Sequence, residues 1–160
     1  MDDLIALFAD LDKLDRKILA ILQVDGRITT TQLAERISLS PTATAERVKR
    51  LTRDEYIQGF GARIDAKKVG LGLLVFVEVK LERTTPDVFD AFAKAVDASP
   101  EVLECHMVAG GFDYLVKARV ADMAAYRKFL AETVQALPGV RETHTYAVME
   151  EVKCTANLPI

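Results

Sequence analysis

Between residues 40 and 53 the chain sets Thr42, Ala43, Glu46, Arg47 and Arg50 at spacings of three and four, with Lys49 and Arg53 beside them. Small and polar side chains at the start of a helix, followed by cations, suit one task well. They reach base edges in a groove, while guanidinium and ammonium groups pair with phosphates or guanines. A second cluster lies in "VAGGFDYLV", residues 108–116. There the N–H groups of Gly110 and Gly111 could take a carboxylate, and Asp113 an ammonium, so that together they hold a zwitterion. An acid that merely caps its own turn is the equal alternative.

The elements that must position these residues follow from apolar spacing. Leu11, Leu14, Ile18 and Leu22, with Leu19 beside them, give one buried helical face, and Gly26 stops that helix. Leu33, Ala34 and Ile37 give a second, short helix, with Thr30 or Thr31 available as N-cap. Ser40 can cap a third helix, and Pro41 fits its first position, where a missing N–H costs nothing. Val48 and Leu51 then point inward. Two helices joined by a tight turn, after a supporting helix, describe a helix-turn-helix. A three-helix bundle with a solvated basic face is the plainer alternative. "YIQGFGARID" reads as a short strand or wing.

Further on, Val75, Val77, Val79 and Leu81 alternate with Leu74, Phe76, Glu78 and Lys80, which is a strand. A helix follows with Val88, Phe89, Phe92, Ala93 and Val96 on one face, then two strands about Gly110-Gly111. Another helix buries Tyr126, Leu130, Val134 and Leu137 up to Pro138-Gly139, and "RETHTYAVMEEVK" is a last strand. The order β-α-β-β-α-β is a ferredoxin-like sandwich, and the fold class is α+β. One sheet face is left without intrachain cover, and a second copy is its simplest partner. The domains are expected at 1–61 (winged helix-turn-helix), 62–72 (linker), 73–153 (sandwich) and 154–160 (tail).

Composition narrows the classes. Half of the 160 residues are apolar and 28% are charged, so a real core is affordable. Apolar runs fall short of the roughly 18 residues of a membrane span, and the acidic start "MDDLIALFADLDKLD" does not read as a signal peptide. Cys105 and Cys154 form no CxxC, which fits free thiols in a cytoplasmic protein. The net charge of −3 argues against nucleic acid, yet Arg36 to Arg53 carries a local excess of four positive charges. Glu104, His106 and His144 lack a tight metal motif. "GLGLLV" leads into a strand and lacks a third glycine, so no dinucleotide is expected. No constellation suggests catalysis, and no cofactor is expected.

Taken in order, "LDRKILAILQVDGRITTTQLAERISLSPT", "ERVKRL", "YIQGF", "LLVFVEVKL", "PDVFDAF", "ECHMVAGGFDYLVKARVADMAAYRKFL" and "LPGVRETHTYAVMEEVK" resemble the Lrp/AsnC, or feast/famine, regulators over about residues 11–153. The resemblance implies a transcription factor that binds double-stranded DNA, with homodimers joining into octamers and an amino-acid effector bound where dimers meet. It places the helix-turn-helix at about Thr30 to Lys49, including Thr31, Gln32 and Thr44, with the recognition helix opened by Ser40 and Pro41. The effector positions it implies are Met107, Gly110, Asp113, Met123, Gln135, Tyr146, Ala147 and Val148, with Gly111 adjoining. Asp113, Met123, Tyr146 and Val148 match a leucine-responsive pattern, whereas Met107, Gln135 and Ala147 depart from it. Leucine and proline are therefore both implied. Glu55 stands where the family often has glycine, and a positive φ there would cost on the order of 1 kcal/mol. An amino-acid-binding regulatory subunit of an enzyme, with the first helices as a docking bundle, is the rival reading.

Overall fold

The computed structural model describes residues 11–160. The acidic leader, residues 1–10, lies outside the described residues. The chain forms two compact units. One runs up to Arg63 and takes in Cys154–Ile160, and the other is Ile64–Lys153.

The first unit holds helices α1 (Lys13–Val24), α2 (Thr30–Ile37) and α3 (Pro41–Arg53). Each start is fixed by a side chain that satisfies an orphan N–H of the first turn. Asp12 and Asp15 cap α1 reciprocally. Thr29, not Thr30 or Thr31, caps α2, and Gln32 returns the bond to the Thr29 N–H. Ser40 accepts from the Ala43 N–H, with Pro41 at the first position of α3. Between α2 and α3 the turn is closed by Ser38 in the left-handed region, φ 59°, and its N–H reaches back to α2. Ile18, Leu19, Leu33, Ile37 and Leu51 form the core, with Val48 and Ile57 packed against it.

No strand forms between residues 54 and 64, contrary to the short strand expected there. Ile57 instead drops onto the helical core, and its N–H bonds the Leu51 carbonyl. Glu55 has φ 60°, the left-handed conformation anticipated for this position. The last seven residues pack with this unit. The Gln23 amide exchanges two hydrogen bonds with the Leu158 backbone, at 2.6 and 3.3 Å, and Arg63 donates to the Cys154 carbonyl.

The second unit contains β1 (Leu73–Leu81), α4 (Pro86–Asp97), β2 (Val102–Met107), β3 (Tyr114–Val120), α5 (Met123–Glu132) and β4 (Val140–Ala147). The sheet order is β2-β3-β1-β4, with antiparallel neighbours. Val75, Val77, Val79 and Leu81 face the helices and meet Phe92, Tyr126, Phe129 and Leu137. Phe92 stacks on Tyr114 at 4.2 Å, and the Tyr126 hydroxyl bonds Thr145. Two details differ from the spacing argument. Ala93 is exposed while Ala95 packs on the core. The last helix breaks after Glu132 into a 3-10 turn, Val134–Ala136, so Phe129 fills the inward place next to Tyr126. Gly139 is required where it stands. Its φ is 75°, and a Cβ would lie 2.6 Å from Val88 Cγ1.

Candidate functional site

The outer face of α3 presents Thr42, Ala43, Glu46 and Lys49 as exposed side chains, alongside exposed Thr30, Thr31 and Gln32 on α2. Thr44 does not belong to that face. It is fully buried, and its hydroxyl donates to the Ser40 carbonyl at 3.0 Å. Helical spacing carries it over the core because residue 44 lies four before Val48 and seven before Leu51.

The arginines are the main surprise. Arg47 Nη1 lies 2.6 Å from Asp12 Oδ2 and 2.8 Å from Asp15 Oδ1, and Arg50 Nη2 lies 2.7 Å from Asp15 Oδ2. Asp15 is 1% exposed. Arg53 pairs with its neighbour Asp54 at 2.8 Å. These pairs leave marks on the titration of the exposed groups. The Asp15 backbone N–H, and after it the Arg47 guanidinium, hold the Asp12 carboxyl below its ordinary range. Arg47 and Arg50 are pushed further up by their carboxylate partners. A shallow cleft of about 530 Å³ is lined by Asp12, Glu46, Arg47, Lys49, Arg50 and Arg53. Counting charges along the sequence missed this network, because Asp12 and Asp15 belong to another helix. Their i, i+3 spacing at the start of α1 signals a capping box, but not the meeting with α3.

In the second unit the candidate effector residues are spread along the sheet. Met107, Gly110, Gly111 and Asp113 lie at the end where Val79 pairs with Tyr114, and Gln135 lies in the 3-10 turn of the helical layer, where its neighbour Ala136 borders Ser99–Glu101 ahead of β2. Met123 follows Val120, which pairs with Leu73 at the opposite end. Tyr146 stands between, paired with Phe76 in mid-strand and lining a cleft of about 160 Å³ with Glu78, Lys80 and Phe112, while Ala147 pairs with Val75 and the Val148 N–H bonds the Leu74 carbonyl. Some seven residues of strand separate the ends, on the order of 20 Å.

Asp113 is already employed. Its Oδ2 accepts from the Leu81 N–H at 2.7 Å, where β1 and β4 shift register, and its own N–H bonds the Val79 carbonyl. The carboxylate thus fastens the hairpin to β1 and does not cap its own turn. Lys80, Gly110, Phe112, Asp113 and Arg141 line a cleft of about 250 Å³. Neither Gly110 nor Gly111 has a positive φ, and a Cβ on either would meet open space, so the chain's own backbone packing does not require them. Tyr146 donates to Glu78 at 3.1 Å. Met107, Met123 and Tyr146 are about half exposed.

The remaining candidates do not gather. His106 is on β2 and His144 on β4, the two edge strands, and among the described residues no three metal-ligating side chains converge. Burial pushes the Cys105 thiol up, away from the reactive thiolate. The open sheet face is more polar than expected. Phe76 and Leu115 sit among Glu78, Lys80, Glu104, Lys117 and Glu142, of which Glu104 pairs with Lys117 at 2.7 Å and Lys80 with Glu142 at 3.3 Å. Among the described residues no helix is long and apolar enough to cross a membrane.

Comparison with known proteins fits this geometry. Residues 11–58 match the winged helix-turn-helix DNA-binding pattern, and residues 74–158 the Lrp/AsnC ligand binding domain. The chain is 54% identical over 151 residues to the leucine-responsive regulatory protein of Escherichia coli K12, covering 94% of this chain and 92% of that protein. It superposes on a transcriptional regulator from Neisseria meningitidis, solved as an L-Met complex, with a TM-score of 0.88 and 38% identity over 93% of this chain and 96% of that one. An AsnC family regulator from Agrobacterium tumefaciens gives a TM-score of 0.89 and 33% identity over 93% and 97%. These are transcriptional regulators, not enzymes, and the enzyme-subunit reading has no support among them. A capped helix-turn-helix and a four-stranded ligand domain, each matched along its length, place the chain in the Lrp/AsnC family of DNA-binding, amino-acid-responsive transcriptional regulators.

Proposed function

We propose that this regulator controls genes of amino-acid metabolism in the cytoplasm and that its effector is a small apolar amino acid, leucine or proline, bound where copies of the chain meet. The observation that carries this is the separation of Met123 from the Met107–Asp113 end of the sheet, on the order of 20 Å along the strands. One free amino acid spans far less, so a pocket using both Met123 and the hairpin needs a second chain. The resemblance to a leucine-responsive protein, and the L-Met bound by the N. meningitidis relative, support an aliphatic ligand. Exposed Gly110 and Gly111, which the chain's own backbone packing does not explain, support a site completed from outside. The family resemblance implies dimers joining into octamers, and such an assembly supplies the second chain. The ligand favours one assembly, and DNA affinity changes by linkage.

A thermal-shift screen against the twenty amino acids tests the reading, because a ligand that binds only the folded form raises the melting temperature. Leucine or proline should give the largest shift. Asp113→Asn, which keeps an acceptor for the Leu81 N–H but removes the charge, should reduce that shift and leave DNA binding near normal. A flat screen would sink the effector reading.

A further inference from the structure

We propose that Asp15 is a positioning residue for DNA recognition. It holds the Arg47 and Arg50 guanidinium groups against α1 and so withholds two cations from indiscriminate phosphate binding. The inference rests on the DNA-binding reading of α3 and goes beyond it. Both Asp15 oxygens are taken, Oδ1 by Arg47 and Oδ2 by Arg50, and the carboxylate is 1% exposed. Asp12, about half exposed, adds a second hold on Arg47 alone. A buried carboxylate attracts its partners more strongly than an exposed one, so a phosphate must compete for these arginines. The two side chains remain 28% and 36% exposed, and one terminal nitrogen of each makes these bonds. A guanidinium has five N–H donors, so each arginine can serve α1 and DNA together in one fixed orientation.

The consequence is electrostatic. Asp12 and Asp15 offset Arg47 and Arg50, and Asp54 offsets Arg53. Among the described ion pairs Arg36 and Lys49 take part in none. The recognition face is thus much less basic than its sequence, and its preference shifts from backbone charge toward base edges.

The experiment uses the full chain and fluorescence anisotropy over a range of potassium chloride concentrations. One probe is a duplex enriched by the wild type from a random-sequence library, and the other is the unselected library. Asp15→Asn should bind the unselected library several-fold more tightly, with a salt slope steeper by about one per recognition helix. Its preference for the enriched duplex should fall. Adding Arg50→Gln to Asp15→Asn should return the slope toward the wild-type value, a rescue that mere destabilisation would not give. A folded Asp15→Asn protein with wild-type slope and preference overturns the proposal. If that variant does not fold, Asp12→Asn should show the same changes to a smaller degree, and an unchanged slope there overturns it equally. Absence of wild-type binding to both duplexes would overturn the DNA-binding reading itself.

Discussion

Glu55 carries a conformation that glycine adopts freely and other L-residues resist, at φ 60°. Its side chain is exposed, so replacement removes no buried contact. Glu55→Gly should therefore raise stability by about 0.5–1 kcal/mol, read as a higher midpoint in urea unfolding. A lower midpoint would mean that the flexibility gained by the unfolded chain outweighs the relieved strain. This position was legible in the sequence because one residue type stood where the family often has glycine. Asp15 was not. Its i, i+3 relation to Asp12 announces a capping box, but nothing in a linear pattern says that its carboxylate meets residues 32 and 35 positions further on. Asp113 falls between the two cases, since a structural task was one of two equal alternatives but its partner, the Leu81 N–H on β1, lies outside its own turn.

Helices and strands were readable wherever spacing alone decides. The serine–proline start of α3, the alternation of β1 and the glycine turn before β3 all stand as expected. Reading failed where a tertiary partner decides. Ile57 leaves the expected wing strand to cover the helical core, and Val134 closes α5 with a tighter turn. Acid sensitivity belongs to this scale, because ion pairs tie the elements together. Asp12 titrates low because of the Asp15 N–H and Arg47, Glu104 because of Lys117 and then His106, and Glu151 because of Arg119. A carboxyl that binds its proton less readily folded than unfolded stabilises the fold above its ordinary value. That contribution is lost as pH falls through the depressed one. Melting temperature should thus hold between pH 7 and about pH 5 and begin to fall below about pH 4. The drop should be shallower in Asp12→Asn. An identical profile in that variant would remove Asp12 from the account.

At the level of the whole molecule, one chain joins a helix-turn-helix to a ligand domain in which Met123 lies too far from the Met107–Asp113 end of the sheet for one amino acid to touch both within a single copy. Order of elements made the two-domain plan legible, since six alternating segments after a helical triplet admit few topologies. The separation of Met123 from the hairpin was not legible, because it depends on which sheet end each residue occupies. The central claim is that α3 meets DNA and that an amino acid bound by the ligand domain alters that contact. Lys49 is the cation that tests it cleanly. It is exposed, and among the described ion pairs it makes none, whereas charge reversal at Arg47 or Arg50 would also disturb Asp15. The decisive measurement is anisotropy of the enriched duplex with wild type and Lys49→Glu, each with and without the amino acid that most raises the melting temperature. The account predicts at least a roughly tenfold loss of affinity for Lys49→Glu at unchanged melting temperature, and a wild-type affinity that moves with ligand. Equal binding by both proteins, indifferent to ligand, would contradict it.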